Sequence, residues 1–143
     1  MSLYFKQFKK PGLAQLAYLV GDKSQGVAAL IDPCRDIAEY LEDARKAGLR
    51  ITHAIETHIH ADFVSGAQEV REAVGAEVVG GKSSDYGFEL RQIAEGGSVE
   101  LGAVRLEALH TPGHTPEHMS FLLFDPMQGE APVGVFTGDT LFN

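Results

Sequence analysis

The chain has 143 residues, which corresponds to about one domain, since domains usually contain about 100 to 200 residues. Its 44% hydrophobic and 22% charged residues are typical of a soluble globular protein and exclude a disordered or fibrous chain. The net charge of −8 argues against nucleic acid or an anionic membrane as the main partner. No stretch reaches the roughly 18 apolar residues that a membrane span needs.

The cellular compartment is predicted from the single cysteine and from the N-terminal residues. Cys34 has no second cysteine with which to form an internal disulfide, and the N-terminal segment lacks the apolar stretch of a secretory signal. We therefore expect a cytoplasmic protein in a reducing environment.

The first third of the chain predicts a three-stranded antiparallel meander followed by a helix. Short apolar runs separated by turn residues predict strands at residues 3–8, 14–20 and 27–31. Apolar residues then recur at helical spacing, which predicts a helix at 37–47 with Asp36 as N-cap and Gly48 as C-cap.

The remainder predicts one more helix among further strands. A buried strand is expected at 51–57, and Ser65 with Gln68 resembles a capping box that opens a helix ending near Val74. Segment 80–89 is polar and predicts a surface loop. Further strands are expected at 77–79, 98–101, 104–109, 119–124 and 133–137. No repeat or linker interrupts the chain. The order of the elements therefore predicts a single α/β or α+β layered domain at residues 1–143.

Five of the six histidines fall in two clusters, each at the end of a predicted strand. In the first cluster His58, His60 and Asp62 alternate, so an extended backbone would place all three on one side. In the second, two prolines restrict the backbone of a turn around His114, while Gly113 permits close approach. Asp139 follows a third apolar strand. Imidazole and carboxylate ligands at neighbouring strand ends predict a metal site that suits zinc or iron better than magnesium or calcium.

The sequences THIHADF, TPGHT and FTGD resemble the successive metal motifs of the metallo-β-lactamase superfamily. The longer runs ETHIHADFVSG, HTPGHTPEHMSF and FTGDTLF are similar to its persulfide dioxygenase branch, in particular to bacterial members whose metal domain precedes rhodanese modules. The resemblance implies an αββα sandwich that is truncated at the C-terminus, since the chain ends four residues after Asp139. A longer native chain with a rhodanese module is therefore an alternative.

Phe63 stands where hydrolases of the superfamily, such as glyoxalase II, have a further histidine. Because a phenyl ring cannot bind a metal, this departure disfavours a second metal. The resemblance then implies one Fe(II) per chain held by His58, His114 and Asp139, with open positions for substrate and oxygen. His60 would be an adjacent or occasional fourth ligand, and Asp62 would orient a ligand. With zinc instead of iron, His60 would join the ligands.

The implied activity is the oxidation of a low-molecular-weight thiol persulfide, such as glutathione persulfide, to sulfite by O₂. One alternative is a zinc-dependent thioester hydrolase of the glyoxalase II type, and another is a metal-binding fragment without catalytic activity. We expect no nucleic-acid or membrane partner. We also expect a homo-oligomer, because Leu141 and Phe142 would lie on an uncovered sheet edge.

Five weaker candidates receive mainly structural interpretations. Cys34 beside a helix N-terminus could have a lowered pKa, but packing is the favoured role of this thiol. His110 and His118 are expected to pin the turn by hydrogen bonds. His53 is expected to be a partly buried histidine with its hydrogen bonds satisfied. Segment 82–85 is expected to be a solvated loop.

Overall fold

The computed structural model describes residues 3–9, 16–34, 36–57, 66–81, 91–110, 119–136 and 141–142. The strands of these parts are β1 (Leu3–Lys9), β2 (Leu16–Asp22), β3 (Val27–Ile31), β4 (Arg50–Glu56), β5 (Glu77–Gly81), β6 (Arg91–Ile93), β7 (Ser98–Leu101), β8 (Val104–His110), β9 (Met119–Phe124), β10 (Gly134–Phe136) and β11 (Leu141–Phe142). The helices are α1 (Ala38–Ala47), α2 (Ala67–Val74) and a 3₁₀ helix (Pro126–Gln128). None of these helices is long and apolar enough to cross a membrane.

The first sheet has the strand order β1-β2-β3-β4-β5-β6. Strands β1 to β3 pair antiparallel, which confirms the predicted meander, and β3 to β6 pair parallel. Tyr40 of α1 and Val70 of α2 pack with Leu30 and Ala54 in one buried cluster. Both helices therefore cover the same face of this sheet. Because β3, β4 and β5 run parallel, their carboxyl ends lie at the same end of the sheet.

The second sheet is antiparallel and has the order β11-β10-β9-β8-β7. A second buried cluster lies between the two sheets and contains Tyr18 and Ile55 from the first, and Leu106, Phe121 and Phe136 from the second. Helices, sheet and sheet thus form successive layers.

The ends of the helices agree only in part with the predicted caps. Gly48 is the C-cap of α1, and its positive φ of 74° is the left-handed conformation that glycine adopts readily. At the N-termini, however, the caps are Ile37 and Gly66, so the predictions of Asp36 and Ser65 are wrong by one residue. Asp36 still accepts a long hydrogen bond of 3.4 Å from the Ala38 N–H.

Two strands were not predicted, because they contain only three and two residues. Strand β6 forms by pairing with β5, and β11 by pairing with β10. Strand β5 also extends to Gly81, into the segment predicted as a loop. The rest of that loop, with the predicted solvated residues 82–85, lies outside the described residues.

Candidate metal centre

The predicted ligands lie in three segments outside the described residues: 58–65, 111–118 and 137–140. His58, His60, Asp62 and Phe63 belong to the first segment, His114 and His118 to the second, and Asp139 to the third. The structure therefore leaves the ligand positions untested, but it describes the residues that flank every segment. Those flanking residues determine whether the three segments start from neighbouring points.

The first segment begins after Thr57, which Asp32 holds by two hydrogen bonds. The Thr57 N–H donates to Asp32 Oδ1 at 2.8 Å, and the Thr57 hydroxyl donates to Oδ2 at 2.5 Å. Asp32 is fully buried, and its own N–H donates to the Ile55 carbonyl at 2.7 Å. Its φ of +52° is uncommon for a residue other than glycine. The backbone of Asp32 is therefore strained, and its buried carboxylate fixes Thr57, the residue before the segment.

The same short stretch of chain also holds the far end of the first segment. The Gly66 N–H donates to the Pro33 carbonyl at 2.8 Å. A Cβ at position 66 would lie only 2.0 Å from the Cys34 carbonyl oxygen, so the packing requires glycine. Residues 32–34 thus bind both the residue before and the residue after segment 58–65.

The residues that flank the second segment lie beside Thr57, the residue before the first. His110 and Met119, which flank it, are paired across β8 and β9. The Met119 N–H donates to the Thr57 carbonyl at 2.7 Å. This hydrogen bond joins the two sheets, and it also joins the end of the second segment to the beginning of the first.

The third segment connects β10 to β11. Phe136 and Leu141, on either side of it, are paired in the antiparallel register, and Phe136 also pairs with Phe121 of β9. Strand β10 therefore lies next to the strand that begins with Met119. The described residues that precede or follow the three segments therefore lie at neighbouring strand ends.

The donor chemistry of these segments fits a transition metal. Imidazole nitrogens and carboxylate oxygens are ligands that zinc and iron accept, and the flanking hydrogen bonds bring the segments that carry them to one edge. In the part of the chain that the structure describes, no cluster of three ligand-type side chains occurs.

Among the described weaker candidates, Cys34 and His53 are packed as predicted, whereas the predicted role of His110 in pinning the turn stays a prediction. Cys34 is buried in the core beneath the helices, and its N–H donates to the Tyr40 hydroxyl at 3.0 Å. His53 is half-buried, and its Nδ1 lies 2.8 Å from the Thr52 hydroxyl. Burial lowers the pKa of His53, although the Glu77 carboxylate opposes the shift. His110 ends β8 with its N–H directed to Glu95.

Asp32 is the residue that the sequence analysis missed. In the sequence, Asp32 and Pro33 indicate only a turn after the predicted strand 27–31, because Thr57, the partner of Asp32, lies 25 residues further along the chain. One signal could have indicated Asp32. It is an aspartate directly after β3, and β3 lies next to β4, the strand that precedes His58 in the chain.

Named relatives of the chain include two kinds of enzyme. It is 34% identical over 140 residues to "Persulfide dioxygenase ETHE1, mitochondrial" of Mus musculus, covering 95% of this chain and 52% of the relative. It is also 34% identical over 130 residues to "Hydroxyacylglutathione hydrolase" of Rhodospirillum rubrum, covering 88% of this chain and 47% of that relative. The chain thus spans about half the length of these relatives.

Structural and family comparisons agree with this relationship. A crystal structure of a metallo-β-lactamase from Staphylococcus aureus matches with a TM-score of 0.90 and 41% identity, over 96% of this chain and 42% of that one. This similarity confirms the predicted fold class. The family model "Metallo-beta-lactamase superfamily" matches residues 11–143. The resemblance to this superfamily and to its persulfide dioxygenase branch is confirmed, and the chain belongs to the metallo-β-lactamase superfamily.

Proposed function

We propose that this chain carries the mononuclear iron centre of a persulfide dioxygenase that acts on a low-molecular-weight thiol persulfide such as glutathione persulfide. The observation that carries the proposal is the hydrogen bond between Thr57 and Met119, which joins the segments of His58 and His114. The similarity to a named persulfide dioxygenase supports the reaction class.

In this proposal His58 and His114 are neutral nitrogen ligands, and Asp139 is the carboxylate ligand that lowers the net charge of the centre. Iron bound by these residues would supply open coordination positions and redox chemistry for O₂ and the persulfide sulfur. His60 is an additional ligand if zinc is bound, and Asp62 orients a ligand through a hydrogen bond. Phe63 disfavours a second metal, because it offers no donor atom.

The described residues hold the residues that flank the first segment and the end of the second. Asp32 holds Thr57, the Pro33 carbonyl holds Gly66, and the Thr57 carbonyl holds Met119. Such preorganisation lowers the conformational entropy that must be lost when ligands gather around an ion. These residues affect the proposed reaction only by positioning the residues that flank the ligand segments.

The proposed reaction is balanced by water as the third reactant. Glutathione persulfide, O₂ and H₂O give glutathione, sulfite and two protons, so the outer sulfur gains three oxygen atoms and the S–S bond breaks. The protein's part is to hold the persulfide and O₂ next to each other.

A zinc-dependent thioester hydrolase is the second candidate function. It is favoured by the equal identity to a hydroxyacylglutathione hydrolase. Phe63 argues against it, because the two-metal site of such hydrolases would lose a ligand. The third candidate is a fragment that binds a metal and has no catalytic activity.

Oxygen uptake distinguishes these functions. The chain would be loaded with Fe(II) or with zinc and assayed for O₂ consumption with glutathione persulfide and for cleavage of a glutathione thioester. We expect uptake only with iron and glutathione persulfide, and its loss in His114→Ala. Thioester cleavage by the zinc form without uptake would favour the hydrolase, and metal binding with neither activity would favour the fragment.

A further inference from the structure

A histidine, a glutamate and an arginine lie side by side on β4, β5 and β6. His53 of β4 pairs in register with Ala29 of β3 and with Glu77 of β5, and Val79 of β5 pairs with Arg91 of β6. Ala29 and Val79 belong to the buried cluster between the two sheets. The side chains of His53, Glu77 and Arg91 therefore lie on the inner face of the first sheet, which faces the second.

Arg91 connects the two sheets. Its Nη1 donates to Glu77 Oε1 at 3.4 Å, and its Nη2 donates to the Ser98 carbonyl of β7 at 3.1 Å. In the described chain β6 is the last strand of the first sheet and β7 the last strand of the second. The side chains of Glu77 and Arg91 are about half exposed, whereas that of His53 is 18% exposed. We call His53, Glu77, Arg91 and the Ser98 carbonyl the latch.

The Thr52 hydroxyl determines which nitrogen of His53 carries the hydrogen. It donates to the Ala28 carbonyl at 3.2 Å, so its oxygen accepts from His53 Nδ1, which lies 2.8 Å away. The neutral ring then has no hydrogen on Nε2, which lies 3.6 Å from Glu77 Oε1. This is the same oxygen that accepts from Arg91. A neutral His53 leaves that oxygen to Arg91, whereas a protonated His53 competes for it.

Burial between the sheets opposes a positive charge on His53. It lowers the pKa of His53 from the ordinary value of 6.5, while the Glu77 carboxylate opposes the shift and the Arg91 charge adds to it. On the other side of His53, Ala29 carries no charge, and β7 brings the Ser98 carbonyl to the latch. Separation of the sheets at this point would hydrate the ring, so the open form takes up a proton more readily than the closed form.

We propose that the latch is an acid-sensitive connection between the two sheets, closed while His53 is neutral and opened when His53 takes up a proton from the solvent. In the closed form Arg91 joins Glu77 to the Ser98 carbonyl. In the open form the positive charge of His53 competes for Glu77 Oε1 and repels the guanidinium, so β6 loses its contact with β7. The latch is independent of the proposed metal site, because none of its residues lies in a ligand segment.

Hydrogen–deuterium exchange of the full chain, followed by mass spectrometry, measures this opening. The readout is the protection factor of the peptide that contains β6 and β7, at about pH 8 and at about pH 5.5, corrected for the pH dependence of unprotected amides. An exposed ion pair changes an equilibrium constant by at most about fivefold. We therefore expect protection to be about threefold lower at the acid pH, whereas β1 and β2, which lie outside the latch, should keep theirs.

Two variants remove one part of the latch each. His53→Asn cannot titrate, but its amide can donate to the Thr52 hydroxyl, so its protection should be equal at both pH values. Arg91→Met loses the guanidinium, so its protection should be low at both. Arg45→Met is the matched control, because the ion pair of Arg45 with Glu42 lies exposed on α1. This control should keep the pH dependence of the unaltered chain.

Loss of the pH dependence in both His53→Asn and Arg91→Met, with its retention in Arg45→Met, is the result expected for the latch. Equal protection of the unaltered chain at both pH values would overturn the proposal, as would a pH dependence that persists in either variant. An equal loss of protection in β1 and β2 would also overturn it, because acid would then act on the whole fold. Should His53→Asn not fold, His53→Gln takes its place with the same expectation.

Discussion

At the scale of single residues, Asp32 is expected to stabilise both the fold and the metal site. Asp32→Ala would leave the buried N–H and hydroxyl of Thr57 without this acceptor, which should lower the free energy of unfolding by about 3 kcal/mol. Thr57→Val removes only the hydroxyl bond and should cost about 1 kcal/mol. Urea denaturation measures both, and a loss for Asp32→Ala no larger than that for Thr57→Val would contradict this role.

Gly66 is the second residue on which the first segment depends. In Gly66→Ala the new methyl group would meet the Cys34 carbonyl oxygen, so the backbone must shift, at a cost of about 3 kcal/mol. Gly48→Ala is the matched control, because its Cβ would meet no atom within 4 Å and its cost comes from φ alone, about 1 kcal/mol. Equal unfolding midpoints of the two variants in urea would show that the contact with Cys34 is not tight.

At the scale of secondary-structure elements, Asp22 links the turn after β2 to the turn before β8. Its carboxylate accepts hydrogen bonds from the Ser24 N–H and hydroxyl and from the Ala103 N–H. Burial by itself would raise the pKa of Asp22, but these hydrogen bonds together hold it below the ordinary value of 3.8. Because the pKa is lower in the folded than in the unfolded chain, the stabilisation exists above the ordinary value. It is lost as the pH falls through the folded value.

Asp22→Asn should therefore flatten the acid side of the stability curve. The free energy of unfolding, measured by urea denaturation between about pH 5 and pH 2, should fall less steeply in the variant than in the unaltered chain. At neutral pH the variant should be the less stable of the two. Parallel curves over the whole range would mean that Asp22 does not contribute to the acid sensitivity.

The elements that could be predicted from the sequence are those with a local pattern. Helix α1 has apolar residues at helical spacing and is capped by Gly48, and β4 is a strand of seven residues whose last three residues are buried. Strands β6 and β11 are too short for a pattern and exist because a neighbouring strand pairs with them. The N-cap at Ile37 instead of Asp36 reflects how weakly sequence determines the terminal residues of a helix.

At the scale of the whole molecule, the sequence predicts which side chains bind a metal, and this stays a prediction, but it does not predict the contacts between the residues that flank their segments. Along the chain, His58 follows β4 of the first sheet, and His114 lies between β8 and β9 of the second. The residues next to their segments, Thr57 and Met119, are joined by a hydrogen bond. That bond joins positions 62 residues apart and leaves no local pattern. Asp32 was missed for the same reason.

Self-association remains a prediction at this scale. In the described chain β11 is the last strand of the second sheet, and an uncovered edge strand can pair with another copy. Light scattering should show dimers or larger species at high concentration. Leu141→Lys, which places a charge on that strand, should reduce them. A strictly monomeric unaltered chain would contradict the prediction.

Metal content tests the central claim most directly. Protein purified from iron-supplemented cells would be analysed by elemental mass spectrometry, with His114→Ala purified in parallel. We predict one iron per chain in the unaltered protein and almost none in His114→Ala, because that variant loses one of three proposed ligands. Two tightly bound metals per chain, or full occupancy in His114→Ala, would contradict a mononuclear site at His58, His114 and Asp139.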